Sequence, residues 1–433
     1  MILDSYHQAL QQIPQRVWSG RISKAIAGLI ESEGPHCALG DCCLIRDHDG
    51  NKFEGEVVGF HGSTVLSMPL YPAKGVRHGD TISTWGARPS IRVTDDMVGR
   101  VLDASGRAMD GGAPLNGGMA MPVVRVAPNP FEREPIQSPI GTGVRAIDAF
   151  LTCGRGQRVG IFGGSGVGKS TLMGMMARGT SADLTVVALV GERGREVREV
   201  LENALGEAGR RRSIVVVSTS DQSPLLRLRA AQSAHSIAEY FAARGKHVLL
   251  VLDSITRFAM AQREIGLAAG EPPTAKGYTP SVFTLLSQLV ERAGNFRKGS
   301  ITAFYTVLME GDDQMDPVVD AVRSLLDGHI LLDRRLTSEG HFPPIQLLES
   351  LSRLMPAVCS GEHLSKAQRL RHMLASYTRS EDLIRIGAYQ RGSDPDLDRA
   401  MQVVPNLRAF ARQGPAESSQ LERTIESLLT MEE

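Results

Sequence analysis

The 433-residue sequence lacks long apolar runs, an excess of either charge and a dense set of cysteines. No uninterrupted apolar stretch approaches about 18 residues, the length that indicates a membrane-spanning helix. The first residues, MILDSYHQALQQIPQ, lack the basic and then apolar layout of a secretory signal. Lys plus Arg and Asp plus Glu both number 48, so nothing global predicts attraction to nucleic acid or anionic lipid. We therefore expect a cytoplasmic globular protein.

The cysteines present do not form a recognisable metal motif. Three of the five lie within HCALGDCC, residues 36–43. This cluster lacks a second CxxC-type arm, and adjacent cysteines would point to opposite faces of a strand. We expect reduced, buried thiols rather than a zinc site, at Cys37, Cys42, Cys43, Cys153 and Cys359.

Changes in composition divide the chain into three predicted domains, in keeping with a length above that of one ordinary domain. In residues 1–85, short apolar runs such as CCLI, GEVVGF, TVLSM and DTISTW alternate with turn residues, a spacing typical of a small β-barrel or β-sandwich. Residues 86–356 begin with a loop-rich, proline-containing connection. Residues 357–433 show apolar residues at helical spacing, which predicts a helical C-terminal domain.

Strand-like and helical segments alternate in the middle domain, between residues 156 and 335. The nearly continuous apolar runs are RVGIFG, LTVVALVG, SIVVVSTS, HVLLVLD and SITAFYTVLM. Such strands, connected by helices, predict a parallel sheet covered on both faces. The predicted fold class is therefore α/β.

Residues 163–170, GGSGVGKS, match the phosphate-loop pattern G-x-x-x-x-G-K-[ST] in full, between a strand-like run and a helical segment. Glycines there let backbone N–H groups converge on a phosphate, and the helix N-terminus adds a favourable dipole. Lys169 would reach the β- and γ-phosphate oxygens of ATP, and the Ser170 hydroxyl would ligate Mg²⁺. An incidental glycine-rich turn is the alternative, which the flanking elements disfavour. The candidate nucleotide-binding residues are Gly163, Gly164, Ser165, Gly166, Val167, Gly168, Lys169, Ser170 and Thr171.

Two acidic residues end apolar strands of the predicted sheet. Asp253 ends HVLLVLD, where a carboxylate would hold Mg²⁺ at the carboxyl edge, although a helix cap is the alternative. Glu192 ends LTVVALVGE beside the phosphate loop, where it would polarise a water that attacks the γ-phosphate. Arg193 would contact phosphate or neutralise Glu192. The alternative for GERGRE is a solvated run of charges.

With GERGREV, DSITRFAMAQREIG and GSITAFYTVLMEGDD beside the phosphate loop, the chain closely resembles the type III export ATPases. These are the flagellar and injectisome relatives of the catalytic subunit of rotary ATP synthases. The resemblance spans nearly the whole chain and implies an N-terminal β-barrel, a RecA-like ATPase core and a C-terminal helical domain. It implies that Glu192 is the catalytic carboxylate, Lys169 the phosphate lysine, and Arg193 and Arg257 active-site arginines.

The same resemblance gives roles to residues 340–355, GHFPPIQLLESLSRLM. Phe342 would stack on adenine, and Arg353 would be an arginine finger that reaches the γ-phosphate held by a neighbouring subunit. This implies a homohexameric ring. Taken alone, the two residues would suggest a buried aromatic and a surface ion pair.

The family resemblance also implies partners. Members often begin with a longer amphipathic segment that docks a stator or regulator subunit, whereas only about 15 residues precede the first strand here; Tyr6, Leu10 and Ile13 are spaced to share a helical face. Residues 309–316, MEGDDQMD, resemble the loop that faces a coiled-coil central stalk. Export chaperones, export substrates and the export gate at the inner membrane are the other expected partners, and no nucleic acid is expected.

The function that these features favour is ATP hydrolysis that energises protein export by releasing or unfolding substrates at the gate. The segment DLIRIGAYQRGSDPDLDRA favours the flagellar over the injectisome system. An RNA-dependent hexameric helicase of the transcription-terminator type is the alternative, but residues 1–85 lack the aromatic residues interleaved with basic ones that an RNA surface needs. A non-hydrolysing ring subunit is a third possibility, and Glu192 argues against it.

Overall fold

Six strands near the start of the chain close into a β-barrel. The computed structural model describes residues 16–26, 28–309, 311, 313 and 315–432. The barrel strands are β1 Trp18–Ile26, β2 Leu29–Glu33, β3 Cys42–Arg46, β4 Lys52–His61, β5 Thr64–Pro69 and β6 Thr81–Thr84. Their hydrogen-bonded order is β1-β2-β5-β4-β3-β6, and β6 pairs back with β1. The runs predicted as strands are confirmed, and of the two architectures expected the barrel is the one that forms.

Alternate side chains fill the barrel interior. In β3, Cys43 and Ile45 are buried while Cys42 is half-buried on the other face. The predicted burial of the thiols is thus confirmed for Cys43 and Cys153 and wrong for Cys37, Cys42 and Cys359. For Cys42 the reason is the two-residue period of a strand, which turns neighbouring side chains to opposite faces.

A nine-stranded sheet forms the centre of the molecule. Its strands are β8 Val101–Asp103, β12 Arg158–Gly163, β13 Leu184–Glu192, β14 Ser213–Thr219, β15 His247–Asp253, β16 Gly294–Asn295, β17 Ser300–Leu308, β18 Gly328–Leu331 and β19 Leu351–Ser352. The order is β19-β18-β12-β17-β15-β13-β14-β8, with β16 added beside β17. Strands β8, β12–β15, β17 and β18 pair in parallel, whereas β16 and β19 are antiparallel. The first eight residues of β13 are all buried, because helices cover both faces, and the predicted α/β fold class is confirmed.

Two small antiparallel sheets lie outside this centre. They pair β7 Ser90–Val93 with β9 Met119–Pro122, and β10 Pro139–Ile140 with β11 Cys153–Gly154. Single 3₁₀ turns span Asp95–Met97, Pro130–Glu132 and Ala275–Gly277. These elements connect the barrel to the central sheet and join its helices.

Helices cover both faces of the sheet. They are α1 Arg145–Phe150, α2 Lys169–Gly179, α3 Gly194–Glu199, α4 Gly206–Arg211, α5 Pro224–Ala242, α6 Ile255–Ala268, α7 Pro280–Val290, α8 Pro317–Leu325, α9 Arg334–Ser338, α10 Met355–Val358, α11 Gly361–Arg385, α12 Pro395–Ala411 and α13 Leu421–Leu429, with a π-helical stretch at Val200–Leu205. Helices α5, α7, α8 and α12 begin with proline, whose fixed φ suits the first helical position and whose missing N–H would have no intrahelical partner there.

The C-terminal helices pack on the same side of the sheet as the phosphate loop. One apolar core joins α5–α8 to one face of the sheet. A second core joins the other face to α1, α2 and the C-terminal helices α11–α13. This packing brings the chain after residue 411 close to the phosphate-loop helix α2.

The last barrel strand ends at Thr84 and α11 begins at Gly361; the domain boundaries after residues 85 and 356 stay a prediction. Within the described ranges, no helix has the length and apolar character needed to cross a bilayer. The predicted stator-docking face at Tyr6, Leu10 and Ile13 lies outside the described residues, as do positions 310, 312 and 314 of the predicted stalk-facing stretch.

Candidate nucleotide site

The phosphate loop links strand β12, which ends at Gly163, to helix α2, which begins at Lys169. Gly166 and Gly168 have φ values of 74° and 101°, which side-chain-bearing residues rarely adopt. A Cβ at Gly163 would lie 2.9 Å from Cγ1 of Val167. In the described structure no side chain caps the N-terminus of α2, and the dipole of the helix favours an anion at this end.

Lys169 lies folded over this loop. Its side chain is buried, and Nζ donates to the carbonyl oxygen of Gly163 at 2.9 Å and to that of Gly164. These bonds hold the ammonium group at the mouth of the loop, where a bound phosphate chain would lie.

A cavity of about 360 Å³ opens beside the loop. Its lining includes Ser170, Thr171, Glu192, Glu196, Asp253 and Pro415. Strands β13 and β15 are adjacent and parallel, with Leu189 opposite Asp253, so Glu192 and Asp253 emerge at one edge of the sheet. The structure therefore brings together the predicted magnesium residues and the predicted catalytic carboxylate.

Asp253 is held by a hydrogen bond from the neighbouring strand. Its side chain is buried, and Oδ1 accepts from Oγ1 of Thr306 on β17 at 2.5 Å. Burial raises the pKa of Asp253, and the Thr306 hydroxyl and the Lys169 ammonium oppose this by favouring the carboxylate. The carboxylate is therefore fixed in orientation at the wall of the cavity.

Glu192 is a half-buried carboxyl group among other acids. Burial, the charge of Asp253 and the side chain of Glu196 raise its pKa, and the charge of Arg257 partly offsets this. A raised pKa makes a carboxylate a stronger base, which suits a group that must polarise water.

Of the two arginines assigned near Glu192, Arg257 is half-buried and Arg193 is exposed. The side chain of Arg257 packs against Gly191, 3.0 Å from the position that a Cβ would take. Its Nε is buried and has no hydrogen-bond partner among the described residues. The Arg193 side chain is 79% exposed, and its Nη1 lies 3.9 Å from Oε1 of Glu196.

Phe342 lies on a segment that borders the phosphate loop. It is 37% exposed, and its carbonyl oxygen accepts from the backbone N–H of Gln413 at 2.7 Å. Pro344 approaches Gly168 to 3.9 Å, measured from a Cβ built on that glycine. Phe342 is not among the described residues that line the cavity.

Arg353 lies far from the phosphate loop of its own chain. Its backbone N–H donates to the carbonyl oxygen of Asp327 at 3.0 Å, and the N–H of Asp327 donates to the carbonyl oxygen of Arg158. Arg158 begins β12, whereas the loop follows Gly163 at the other end, about 16 Å away at ~3.3 Å per residue. The exposed Arg353 side chain cannot span that distance.

Comparisons with known proteins identify the family. Residues 143–352 match the model of the ATP synthase alpha/beta family nucleotide-binding domain, and residues 359–430 match that of the T3SS EscN ATPase C-terminal domain. The chain is 50% identical to the flagellum-specific ATP synthase of Bacillus subtilis, over 95% of this chain and 94% of that protein. It is 45% identical to the type 3 secretion system ATPase of Sinorhizobium fredii, over 98% and 94%.

The chain belongs to the type III export ATPase family. The assembled ATPase EscN of the enteropathogenic E. coli type III secretion system has a similar structure, with a TM-score of 0.90, 43% sequence identity and coverage of 95% of this chain and 99% of EscN. EscN in complex with its central stalk EscO has a TM-score of 0.88, at the same identity and coverage. The predicted RecA-like core with a barrel and helical C-terminal domain is confirmed for this export ATPase, and the helicase alternative is not supported.

Four residues at or near the site escaped prediction from the sequence. Glu196 lies four residues after Glu192 in the charged run GERGRE, and this closeness in the sequence could have identified it. Thr306 sits inside an ordinary apolar strand, and Gln413 and Pro415 lie more than 200 residues from the loop. For these three, no local pattern gives a signal.

Proposed function

We propose that this export ATPase hydrolyses ATP at the cavity beside its phosphate loop and serves a flagellar export apparatus. The observation that carries the proposal is the meeting of Ser170, Glu192 and Asp253 around one cavity. Higher identity to the flagellum-specific relative than to the secretion relative favours the flagellar system.

The phosphate chain of ATP would lie on the glycine loop and the N-terminus of α2. Lys169 would exchange its bonds to the loop carbonyls for bonds to β- and γ-phosphate oxygens. Because the two carbonyl groups to which Nζ donates are uncharged, exchange of these bonds for bonds to an anion is favourable.

Ser170 and Asp253 fit a magnesium site. A hydroxyl and one carboxylate at the same cavity are the hard oxygen donors that Mg²⁺ takes when nucleotide phosphates supply the rest. Bound there, the ion would neutralise charge on the β- and γ-phosphates. The Thr306 bond would keep Asp253 turned toward it.

Glu192 would orient and polarise the attacking water. Glu192 is half-buried and lines the cavity, and the charge of Arg257 limits the build-up of negative charge there. Arg193, which is exposed, would contact phosphate or a neighbouring subunit rather than its own Glu192.

Arg353 would complete the site of an adjacent subunit in a homohexameric ring. Its distance from its own phosphate loop supports action in trans, since an arginine finger must reach the γ-phosphate. The assembled form of EscN supports ring formation.

The proposed partners follow from the family. A central stalk, as EscO is for EscN, would meet the stretch at residues 309–316, where Lys276 Nζ forms ion pairs with Asp313 at 2.6 Å and Asp316 at 3.1 Å. Further proposed partners are a stator subunit, export chaperones and substrates, and the export gate at the inner membrane. We propose no nucleic acid as a partner.

The test is ATP turnover per subunit as protein concentration rises, with Mg²⁺ and with or without RNA. We expect specific activity to rise steeply with protein concentration, because sites are completed between subunits. We expect RNA to leave the activity unchanged. A flat rate stimulated by RNA would contradict the proposal.

A further inference from the structure

Gln413 joins segments that are far apart in the sequence. It is 1% exposed, and its backbone N–H donates to the Phe342 carbonyl oxygen at 2.7 Å. Its side-chain Oε1 accepts from the backbone N–H of Arg145 at 2.8 Å. Its Nε2 donates to the carbonyl oxygens of Gly143, at 2.8 Å, and Glu417, at 3.1 Å.

The polarity of these contacts requires an amide. The partner of Oε1 is an N–H, which can only donate, and both partners of Nε2 are carbonyl oxygens, which can only accept. A glutamate at position 413 would have nearly the same shape but would place a carboxylate oxygen against two carbonyl oxygens. Replacing the Gln413 amide by a carboxylate should therefore disrupt these hydrogen bonds although the side chain keeps its size.

The turn that Gln413 anchors also forms part of the nucleotide cavity. Pro415, two residues on, lines this cavity together with Ser170 and Thr171. Its carbonyl oxygen accepts from Nη2 of Arg178 near the end of α2. The C-terminal domain therefore contributes a wall to the site through this turn.

We propose that Gln413 is a positioning residue for the nucleotide base, fixing Phe342 and the turn at residues 413–417 as one wall beside the phosphate loop. The inference rests on the proposed function, in which Phe342 stacks on adenine. The proposed phosphate contacts come from the glycine loop and Lys169 rather than from the turn at residues 413–417. Loss of Gln413 should therefore weaken binding of the base and leave phosphate binding intact.

The experiment compares equilibrium binding of ADP and of inorganic pyrophosphate, both with Mg²⁺, to the full chain and to Gln413→Glu. We expect ADP to bind about tenfold more weakly and pyrophosphate to bind unchanged, because a buried hydrogen-bond set is lost only at the base wall. Gln413→Met removes the polar group without adding charge and serves as a second variant in case Gln413→Glu fails to fold. It should also lower the affinity for ADP relative to that for pyrophosphate.

Gln157→Glu is the matched control. Gln157 is also buried; its Oε1 accepts from the Gly154 N–H, and its Nε2 donates to the Asp327 carbonyl oxygen and to Oγ of Ser352. The same change there removes a similar bond set at the amino end of β12, away from the phosphate loop. We expect the ratio of ADP to pyrophosphate affinity to be unchanged.

Phe342→Leu tests the proposed stacking of Phe342 on adenine separately from the proposed role of Gln413. An unchanged affinity ratio in Phe342→Leu would refute the base-stacking assignment and this inference with it. A changed ratio in Phe342→Leu but an unchanged one in both Gln413 variants would refute the inference alone. Equal weakening of ADP and pyrophosphate in the Gln413 variants would also overturn it, since that result indicates a general disturbance of the phosphate loop.

Discussion

The separation of Arg353 from its own phosphate loop leads to a quantitative prediction about mixed rings. Arg353→Ala removes the proposed finger but leaves the phosphate loop of that chain intact. Glu192→Gln removes the proposed base from its own site but leaves the proposed finger for a neighbour. Each variant alone should be inactive, because every ring site lacks one part.

Mixing the two variants should restore activity by an amount that the geometry sets. A complete site needs an Arg353→Ala subunit that holds the nucleotide beside a Glu192→Gln subunit that supplies the arginine. In a randomly mixed 1:1 ring, about one interface in four meets this condition. An arginine finger contributes roughly 10³- to 10⁵-fold in turnover, so the other interfaces add little and about a quarter of parental activity is expected.

The assay is phosphate release by the co-assembled mixture at high protein concentration, with differently tagged variants to verify that mixed rings form. Lys169→Ala mixed with Glu192→Gln is the matched negative control, because both changes damage the nucleotide-holding side. Mixed rings of Arg353→Ala and Glu192→Gln with no more activity than this control would refute action in trans.

Three further changes test the cavity itself. Glu192→Gln should bind ATP as the parent does yet lose turnover, because an amide cannot polarise water; turnover near the parental rate, measured with ATP affinity, would reject the assignment. Lys169→Ala should lose nucleotide affinity and turnover together, as measured by fluorescent-nucleotide titration, whereas unchanged affinity would exclude the phosphate role. Thr306→Val removes a buried hydrogen bond to Asp253 worth about 1.5–3 kcal/mol. The Mg²⁺ concentration needed for half-maximal nucleotide binding should therefore rise roughly tenfold, and Thr306→Ser is the control that keeps the hydroxyl. An unchanged Mg²⁺ requirement in Thr306→Val would contradict the role of Thr306.

Much of the fold and part of the site follow from local sequence. The phosphate loop was predictable because its glycines, Lys169 and Ser170 are contiguous and lie between a strand and a helix whose patterns are clear. The strands ending at Glu192 and Asp253 were predictable because burial on both faces makes each run almost wholly apolar. Strand β8 was not, because three residues at a sheet edge carry no periodic signal.

What the tertiary structure decided concerns distances between segments remote in sequence. The chain order does not show that Gln413 and Pro415 return to the phosphate loop, nor that Arg353 stands about 16 Å from it along the sheet. The sequence by itself determined which residues we propose for the phosphate and water chemistry, because those residues lie in short contiguous motifs. The tertiary structure decides which segments lie beside the proposed base site, and whether a residue can act in its own site or in a neighbour's. These depend on how helices pack on the sheet, and packing between remote segments leaves no local pattern in the sequence.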